Sequence, residues 1–524
     1  MSLVFLPLSC GRWTLPPCWS SLGRRRYLNA ELETPPLSPS AEPLPSVPRG
    51  SRLLPSSAGS VEAFLGCRAA AGRLLPGGDN LLRPLARIRR GVTPWSQNCR
   101  WDGLVESVGE GEKGNGGHLK NTDVVTLGNL CVDIVLNVPS LPPPSREGRR
   151  EYFDRLSASP PDKKFWEAGG NCNFSIAAAR LGLQCSVLGY IGDEIYGRFL
   201  LDVLQEEGIG MVGMNEDSEA AREYSASYQT LLCWVLVDPF QRHGFCSRAD
   251  FSIEPAFSWM KELSRPVLTA IRQSKILFCN GYVFDELYTK LIVSALDSAI
   301  SAETTVFFDP GPRGRSLSTG TPEEKRALEL FLEFSDVLLL TSDEAEALTG
   351  LPSPILAGQK LISQGTRTNW VIIKIGSKGS VLVTKSCVFC APAFEVNVFD
   401  TVGCGDSFTA AIAFGYLQNM PEIEMLALAN AVGAATATGC GAGRNVANRD
   451  KVLELLRLSN LNDDYQFWNH LLETVMDKEV VLLSKSSVNG SNANMSCVPI
   501  RSVASRLVLE LEKKECAFSK DLAE

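Results

Sequence analysis

Histidine is scarce in this chain, occurring only at His118, His243 and His470 in 524 residues. The sixteen cysteines do not make up for it, because Cys387 and Cys390 form a CxxC that no second pair matches. Zinc frameworks and disulfide scaffolds both need paired spacings, so neither is expected. The cysteines read as buried or free thiols in a reducing compartment. No apolar run reaches the eighteen or so residues of a membrane-spanning helix. No GxxxxGK followed by Ser or Thr occurs, which removes the P-loop class. A formal charge of −8 argues against nucleic acid as a partner. Hydrophobic residues make up 44% of the chain, enough for a sizeable core.

Lysine is absent from the first hundred residues, and acids are few there. Arginines (Arg24, Arg25, Arg26, Arg87, Arg89, Arg90), serines and prolines dominate instead. That composition is the flavour of an organelle transit peptide. Residues 1–118 are therefore expected to be a disordered transit peptide and linker. A plastid is the expected destination, with cytoplasm or mitochondrion as alternatives. Gly109–Gly114 formally matches GxGxxG, but no strand precedes it and no helix follows, so it reads as linker.

The chain's strongest local pattern is Asp400-Thr401-Val402-Gly403-Cys404-Gly405-Asp406-Ser407-Phe408. An apolar stretch, Phe394–Phe399, precedes it and reads as a strand. Phe408, Ile412 and Tyr416 follow at helical spacing. Strand, glycine turn and helix in that order place free N–H groups and the positive end of a helix dipole at the turn. An anion in transit would be favoured there. Asp406 beside such a site is either a helix cap or a base that takes a proton from a hydroxyl.

Several other pieces carry polar residues in apolar settings. Val124–Leu136 reads as one strand with Asp133 in its midst, either structurally paired or aimed at a ligand. Pro142–Pro161 reads as an excursion. Gly169-Gly170-Asn171-Cys172-Asn173 opens an Ala-rich helix that stops at Gly182, and Asn amides there suit hydroxyl recognition or a cap. Gln229–Asp238 and Gly244–Ser247 read as a hairpin with His243 a solvated residue at its tip. From Lys275 onward strand and helix signals alternate, which means βα units and a mostly parallel sheet. Asp309–Arg313, Thr341–Glu344 and Gly376–Gly379 fall at the carboxyl ends of those strands, where ligands collect.

Gly169–Gly182 and Asp400–Phe408 together resemble the two signatures of the ribokinase-like, or pfkB, family of carbohydrate kinases. The resemblance runs from about Asp123 to Leu458. It implies a ribokinase-like, Rossmann-type three-layer α/β sandwich with a small β lid, a kinase domain over residues 119–458 and an extension over 459–524. The implied activity is transfer of the γ-phosphate of ATP to an alcohol of a sugar or nucleoside, with Mg²⁺ and a monovalent cation such as K⁺. By position, Asp406 resembles the base, and Gly403, Cys404 and Gly405 the anion hole. Asp133, Gly169, Gly170 and Asn173 resemble substrate contacts. Thr341, Gly376, Gly379 and Asn430 resemble nucleotide contacts. Glu344 resembles the acid near the metal, and Asp400 with Gly439–Gly443 the cation site. Cys404 replaces the usual Ala, and Thr341 the usual Asn. The excursion is expected to fold with Gln229–Asp238 into the lid, with Asp133 and Asp406 facing one cavity. A homodimer through the lid is a further expectation. The alternative reading is a catalytically inactive relative that acts as a structural partner in a plastid gene-expression complex.

Overall fold

The computed structural model describes residues 120–521 except 144, 215–227, 241, 447, 474, 476–477 and 486–493. The expected transit peptide and the Gly109 motif lie outside those residues. Fifteen strands are described: β1 (Thr122–Leu127), β2 (Leu130–Asn137), β3 (Trp166–Gly170), β4 (Cys185–Gly189), β5 (Gly210–Gly213), β6 (Leu231–Val237), β7 (His243–Ser247), β8 (Ser274–Asn280), β9 (Thr305–Asp309), β10 (Val337–Thr341), β11 (Trp370–Lys374), β12 (Ser380–Val383), β13 (Cys387–Ala391), β14 (Glu479–Ser484) and β15 (Met495–Pro499). Eleven form one sheet in the order β15-β14-β13-β12-β11-β10-β9-β8-β1-β4-β5. Only β12 runs against its neighbours, β11 and β13, and the other pairings are parallel.

The central strands are apolar on both faces, as a sheet covered on both sides requires. Phe278, Phe307, Leu339 and Ile372 fall in one core, and Leu277, Phe308, Leu338 and Ile373 in the other. The helices Asn171–Arg180, Cys404–Leu417 and Glu422–Thr436 cover the first face. Thr289–Ser301, Pro322–Phe334 and Pro354–Gln364 cover the second. The expected three-layer sandwich is what forms. Cys404–Leu417 is buried over Ser407–Gly415, wedged between Asn171–Arg180 and Glu422–Thr436. A helix buried on most sides must be apolar all round, which is why its run Phe408–Phe414 carries no charge. Each buried Phe or Ile there contributes roughly 1.5–3 kcal/mol.

Three expectations need correction. Val124–Leu136 is two strands, not one: the chain breaks at Gly128-Asn129, and β2 leaves the main sheet for a second one, ordered β3-β2-β6-β7. Asp133 therefore stands in the lid. The Pro142–Pro161 excursion folds back onto the lid as expected, Arg149 donating to the Phe245 carbonyl and Phe153 packing on Trp234, but it does so as a helix and not as a strand. Ser145 caps a helix, Arg146–Ser157, and β3 starts only afterwards. Phe394–Phe399 forms no strand either. Phe394 makes a single bridge to Leu461, and Phe399 is 61% exposed.

The hairpin of β6 and β7 forms as expected. Val235 of β6 packs on Val402 and Ala442, which fastens the lid over the glycine turn. Residues after 459 join the main sheet. β14 pairs with β13, which would otherwise be an open edge, and Val503, Ala504, Leu507 and Leu511 of the last helix enter the first core.

Candidate active site

Gly403 is the N-cap of Cys404–Leu417 and is left-handed, with φ 76°. A Cβ there would also lie 2.7 Å from that of Ala442, so glycine is required by conformation and by space. Of the first-turn N–H groups, Cys404's reaches the Thr401 carbonyl at 3.3 Å and Ser407's the Gly403 carbonyl at 2.9 Å. Those of Gly405 and Asp406 have no protein acceptor among the described residues. Cys404 was expected as an anion-hole donor, but its N–H is engaged in closing the turn. The donors left for an anion are therefore Gly405 and Asp406.

Asp406 points to Asn173, whose Nδ2 donates to its Oδ2 at 3.2 Å. Asn173 Oδ1 accepts from the Gly443 N–H at 2.8 Å, so one amide ties the turn to the Gly439–Gly443 loop. Burial raises the Asp406 pKa to about 6, and the charge of Asp309 adds to it. The charge of Lys374 and the Asn173 bond oppose the rise.

Asp133 stands across from Glu167 of β3 and Cys233 of β6. It is 5% exposed, and among the described residues no cation pairs with it. The Cys131 thiol donates to its Oδ1 at 3.3 Å. A Cβ on Gly169 would sit 2.2 Å from the carboxylate, so only glycine lets β3 pass. Burial raises the Asp133 pKa to about 7; the thiol bond opposes this, and Asp406 and Glu167 add to it. The charge of Asp406 thus reaches Asp133 across the gap between turn and lid. Gly170 is the N-cap of the Asn171–Arg180 helix.

On the other side of the turn lies Lys374, the last residue of β11. Its Nζ donates to Asp309 Oδ2 at 2.7 Å and would lie 3.7 Å from a Cβ on Gly405. Burial alone would lower its pKa. The carboxylates of Asp309, Glu344 and Asp406 together outweigh this and raise it, so the ammonium stays charged. Glu344 is raised by burial and by Asp309, against the pull of Lys374 and its hydrogen bond from Thr341.

Several expected nucleotide and metal residues also hold the local structure together. Thr341 and Glu344 form a reciprocal capping box: Glu344 Oε2 accepts from the Thr341 N–H at 2.8 Å, and Thr341 Oγ1 accepts from the Glu344 N–H at 3.3 Å. Thr341 thereby accepts within its own turn and keeps its O–H to donate, while Glu344 keeps one oxygen for a ligand. Asn430 was expected near a base. Its amide donates to the carbonyls of Ala391 and Pro392 and accepts from Ser380, leaving no free hydrogen-bonding edge. Gly379 is fixed by packing, since a Cβ would lie 2.0 Å from the Ala391 carbonyl. Gly376 opens the turn after β11. Asp400 was expected at a cation. His243 reaches its Oδ1 at 2.7 Å instead, and His243 is no solvated tip residue, its side chain being 14% exposed.

Lys374 and Tyr282 were not singled out from the sequence, and His243 was read there only as a solvated residue. Lys374 left a signal, a lone charge at the end of the apolar run Trp370–Ile373. Tyr282 lies near enough to Cys233 and Asp406 to be raised by both, after burial. The Arg313 guanidinium stacks on its ring at 5.5 Å.

A carboxylate between free helix N–H groups, a buried lysine and a second carboxylate is a layout for moving an anionic group onto a hydroxyl. Residues 121–449 match the profile described as pfkB family carbohydrate kinase. The chain belongs to the pfkB family of carbohydrate kinases. It is a phosphotransferase with an alcohol as acceptor. Probable fructokinase-4 of Arabidopsis thaliana is 25% identical over 303 residues, 55% of this chain and 87% of that protein. A 5-dehydro-2-deoxygluconokinase of Bacillus anthracis is 27% identical over 323 residues, 59% of this chain and 87% of that protein. In fold, the chain is similar to an apo structure from E. coli assigned as ribokinase II, at 18% identity and a TM-score of 0.51. That likeness covers 64% of this chain and 99% of the other. The architecture is the ribokinase-like α/β fold.

Proposed function

We propose that this kinase transfers the γ-phosphoryl group of ATP to a hydroxyl of a sugar or sugar-derived acid. The observation that carries the reading is the placement of Asp406: at a helix N-terminus, bonded to Asn173, within electrostatic reach of Asp133 and Lys374. Two named relatives, a fructokinase and a 5-dehydro-2-deoxygluconokinase, act on compounds of that class.

The residues divide the work. Asp133 and Asn173 accept and donate hydrogen bonds at substrate hydroxyls and hold one of them toward Asp406. Asp406 takes that hydroxyl's proton, and a pKa of about 6 leaves it ionised at neutral pH. The N–H groups of Gly405 and Asp406 and the Lys374 ammonium stabilise the charge on the phosphoryl in flight. ATP would supply that group, and a bound Mg²⁺ would neutralise its phosphates. The residues present fit a magnesium ion held mostly by phosphate. Asp309 raises Glu344, so an added cation would relieve their repulsion. Among the described residues no group of three or more His, Cys, Asp or Glu forms a cage, and Mg²⁺ needs only one or two carboxylates beside phosphates.

The alternative, a relative with dispensable chemistry, has less support, because the Asp406 turn and Asp133 are both intact. The arginine-rich, lysine-free N-terminal composition supports a plastid destination. A reporter fused after Arg100 that stayed in the cytosol would count against it. The test of the main reading is ADP release measured with ATP, Mg²⁺ and a panel of hexoses, pentoses, sugar acids and nucleosides. The reading expects stimulation by a sugar or sugar acid. Stimulation by nucleosides only, or by nothing, contradicts it.

A further inference from the structure

Family membership implies a monovalent cation beside Asp400, and the groups around that carboxylate do not suit one. Asp400 is 3% exposed. Its Oδ1 accepts from the His243 ring at 2.7 Å and from the Val402 N–H at 3.0 Å, and its Oδ2 accepts from the Gly441 N–H at 2.7 Å. These partners are N–H donors aimed inward, whereas a hard cation needs oxygen lone pairs. Thr401 fixes the ring. Its hydroxyl lies 3.3 Å from Nδ1 and holds that edge of the ring, while Nε2 donates to the carboxylate, which can only accept. The partners of His243 thus come from the first two residues of the Asp400–Phe408 motif, while His243 itself comes from lid strand β7.

Resting on the kinase reading above, we propose that His243 does the work a monovalent cation would do here, and that phosphoryl transfer by this chain is independent of K⁺. A cation in this place would hold the Asp400 turn against the Gly439–Gly443 loop and so set the direction of the Gly405 and Asp406 N–H groups. In this chain the same span is closed by hydrogen bonds. Gly441 ties the loop to Asp400, and His243 ties Asp400 to the lid. Asp238 orders the β6–β7 turn that presents His243, accepting from the N–H groups of Phe240 and Arg242 and from the Arg242 side chain. His243 is a positioning residue: it touches no reacting atom and acts through Asp400. A consequence is that closing the lid over a substrate and aligning the anion hole are one event.

The test uses the full chain and two readouts. Melting temperature and turnover are measured in KCl and in tetramethylammonium chloride at equal ionic strength. The proposal expects no K⁺-specific change in either. A saturable K⁺-specific rise in melting temperature or turnover in the wild type overturns it. His243→Ala should lower kcat by up to about 100-fold, as a displacement of ~1 Å in a reacting group does, with KM for ATP little changed. His243→Gln, which keeps an N–H donor, should recover most of that loss. Wild-type kcat in His243→Ala, or no recovery in a folded His243→Gln, also overturns it. If His243→Ala does not fold, the Gln variant and the wild-type salt comparison still decide. No transfer by the wild type in any salt would fail the kinase reading, while the melting comparison would still report on the cation.

Discussion

The turn at Gly403–Asp406 and the lid strand bearing Asp133 each hold a carboxylate, and they hold it differently. Asp406 has an amide donor, a helix N-terminus and a buried ammonium nearby, and its pKa is raised only to about 6. Asp133 is enclosed by two lid strands with one thiol donor and two acidic neighbours, and it is raised to about 7. One charge is supported by the fold, and the other is left short of donors. A group short of donors gains most from a ligand that brings hydroxyls. The contrast therefore assigns chemistry to the turn and recognition to the lid.

Exchanging the carboxylates probes that division first. Asp406→Asn should lower kcat by about 10²–10⁴-fold. Calorimetry should show ATP affinity nearly unchanged, and a large loss of ATP binding would mean that Asp406 serves the nucleotide instead. Asp133→Ala should act on the other side. Losing hydrogen bonds to a charged group costs about 1.5–3 kcal/mol, or roughly 10–150-fold in kcat/KM for the acceptor. The change should lie mostly in the acceptor's KM, with KM for ATP unmoved. Equal effects on both substrates would erase the distinction between lid and turn.

Acidity should separate the two groups as well. Both must be ionised to accept, so kcat/KM should fall as pH drops through about 7 and then about 6. In Asp133→Ala only the lower step should remain. A profile flat across that window would contradict both assignments. The smallest effect is on stability. Asp406 has a folded pKa of about 6 against an ordinary 3.8. A raised pKa means that its contribution to stability is complete below the ordinary value and is lost as pH rises through the folded one. The melting temperature of Asp406→Asn should therefore gain on wild type as pH rises through 6. A gap that narrows instead would show the carboxylate to be stabilising where it stands.

The sequence made the turn more legible than the lid, for a physical reason. Gly403, Gly405 and Asp406 lie within four residues, and one helix start fixes their geometry, so local pattern suffices. The βα alternation after Lys275 was equally open to reading, because each unit is local. The lid is assembled from β2, β3, β6 and β7, which are far apart in sequence. Val124–Leu136 looked like one strand because both halves are apolar, and only pairing with β6 shows that the chain changes sheet at Gly128. His243 looked like a turn residue because its partner, Asp400, is 157 positions away. Asn430 and Thr341 show the opposite difficulty, a motif position with a structural role beside it. Thr341 also closes a capping box with Glu344, and the Asn430 amide is bonded to Ala391, Pro392 and Ser380, partners that no local pattern shows.

Single-turnover transfer from γ-labelled ATP, in wild type and Asp406→Asn under saturating acceptor, tests the central claim most directly. The account predicts label in a phosphate ester of the sugar or sugar acid with wild type, and almost none with the variant despite bound ATP. Label released only as inorganic phosphate by wild type, or esters formed at equal rates by both proteins, would contradict it.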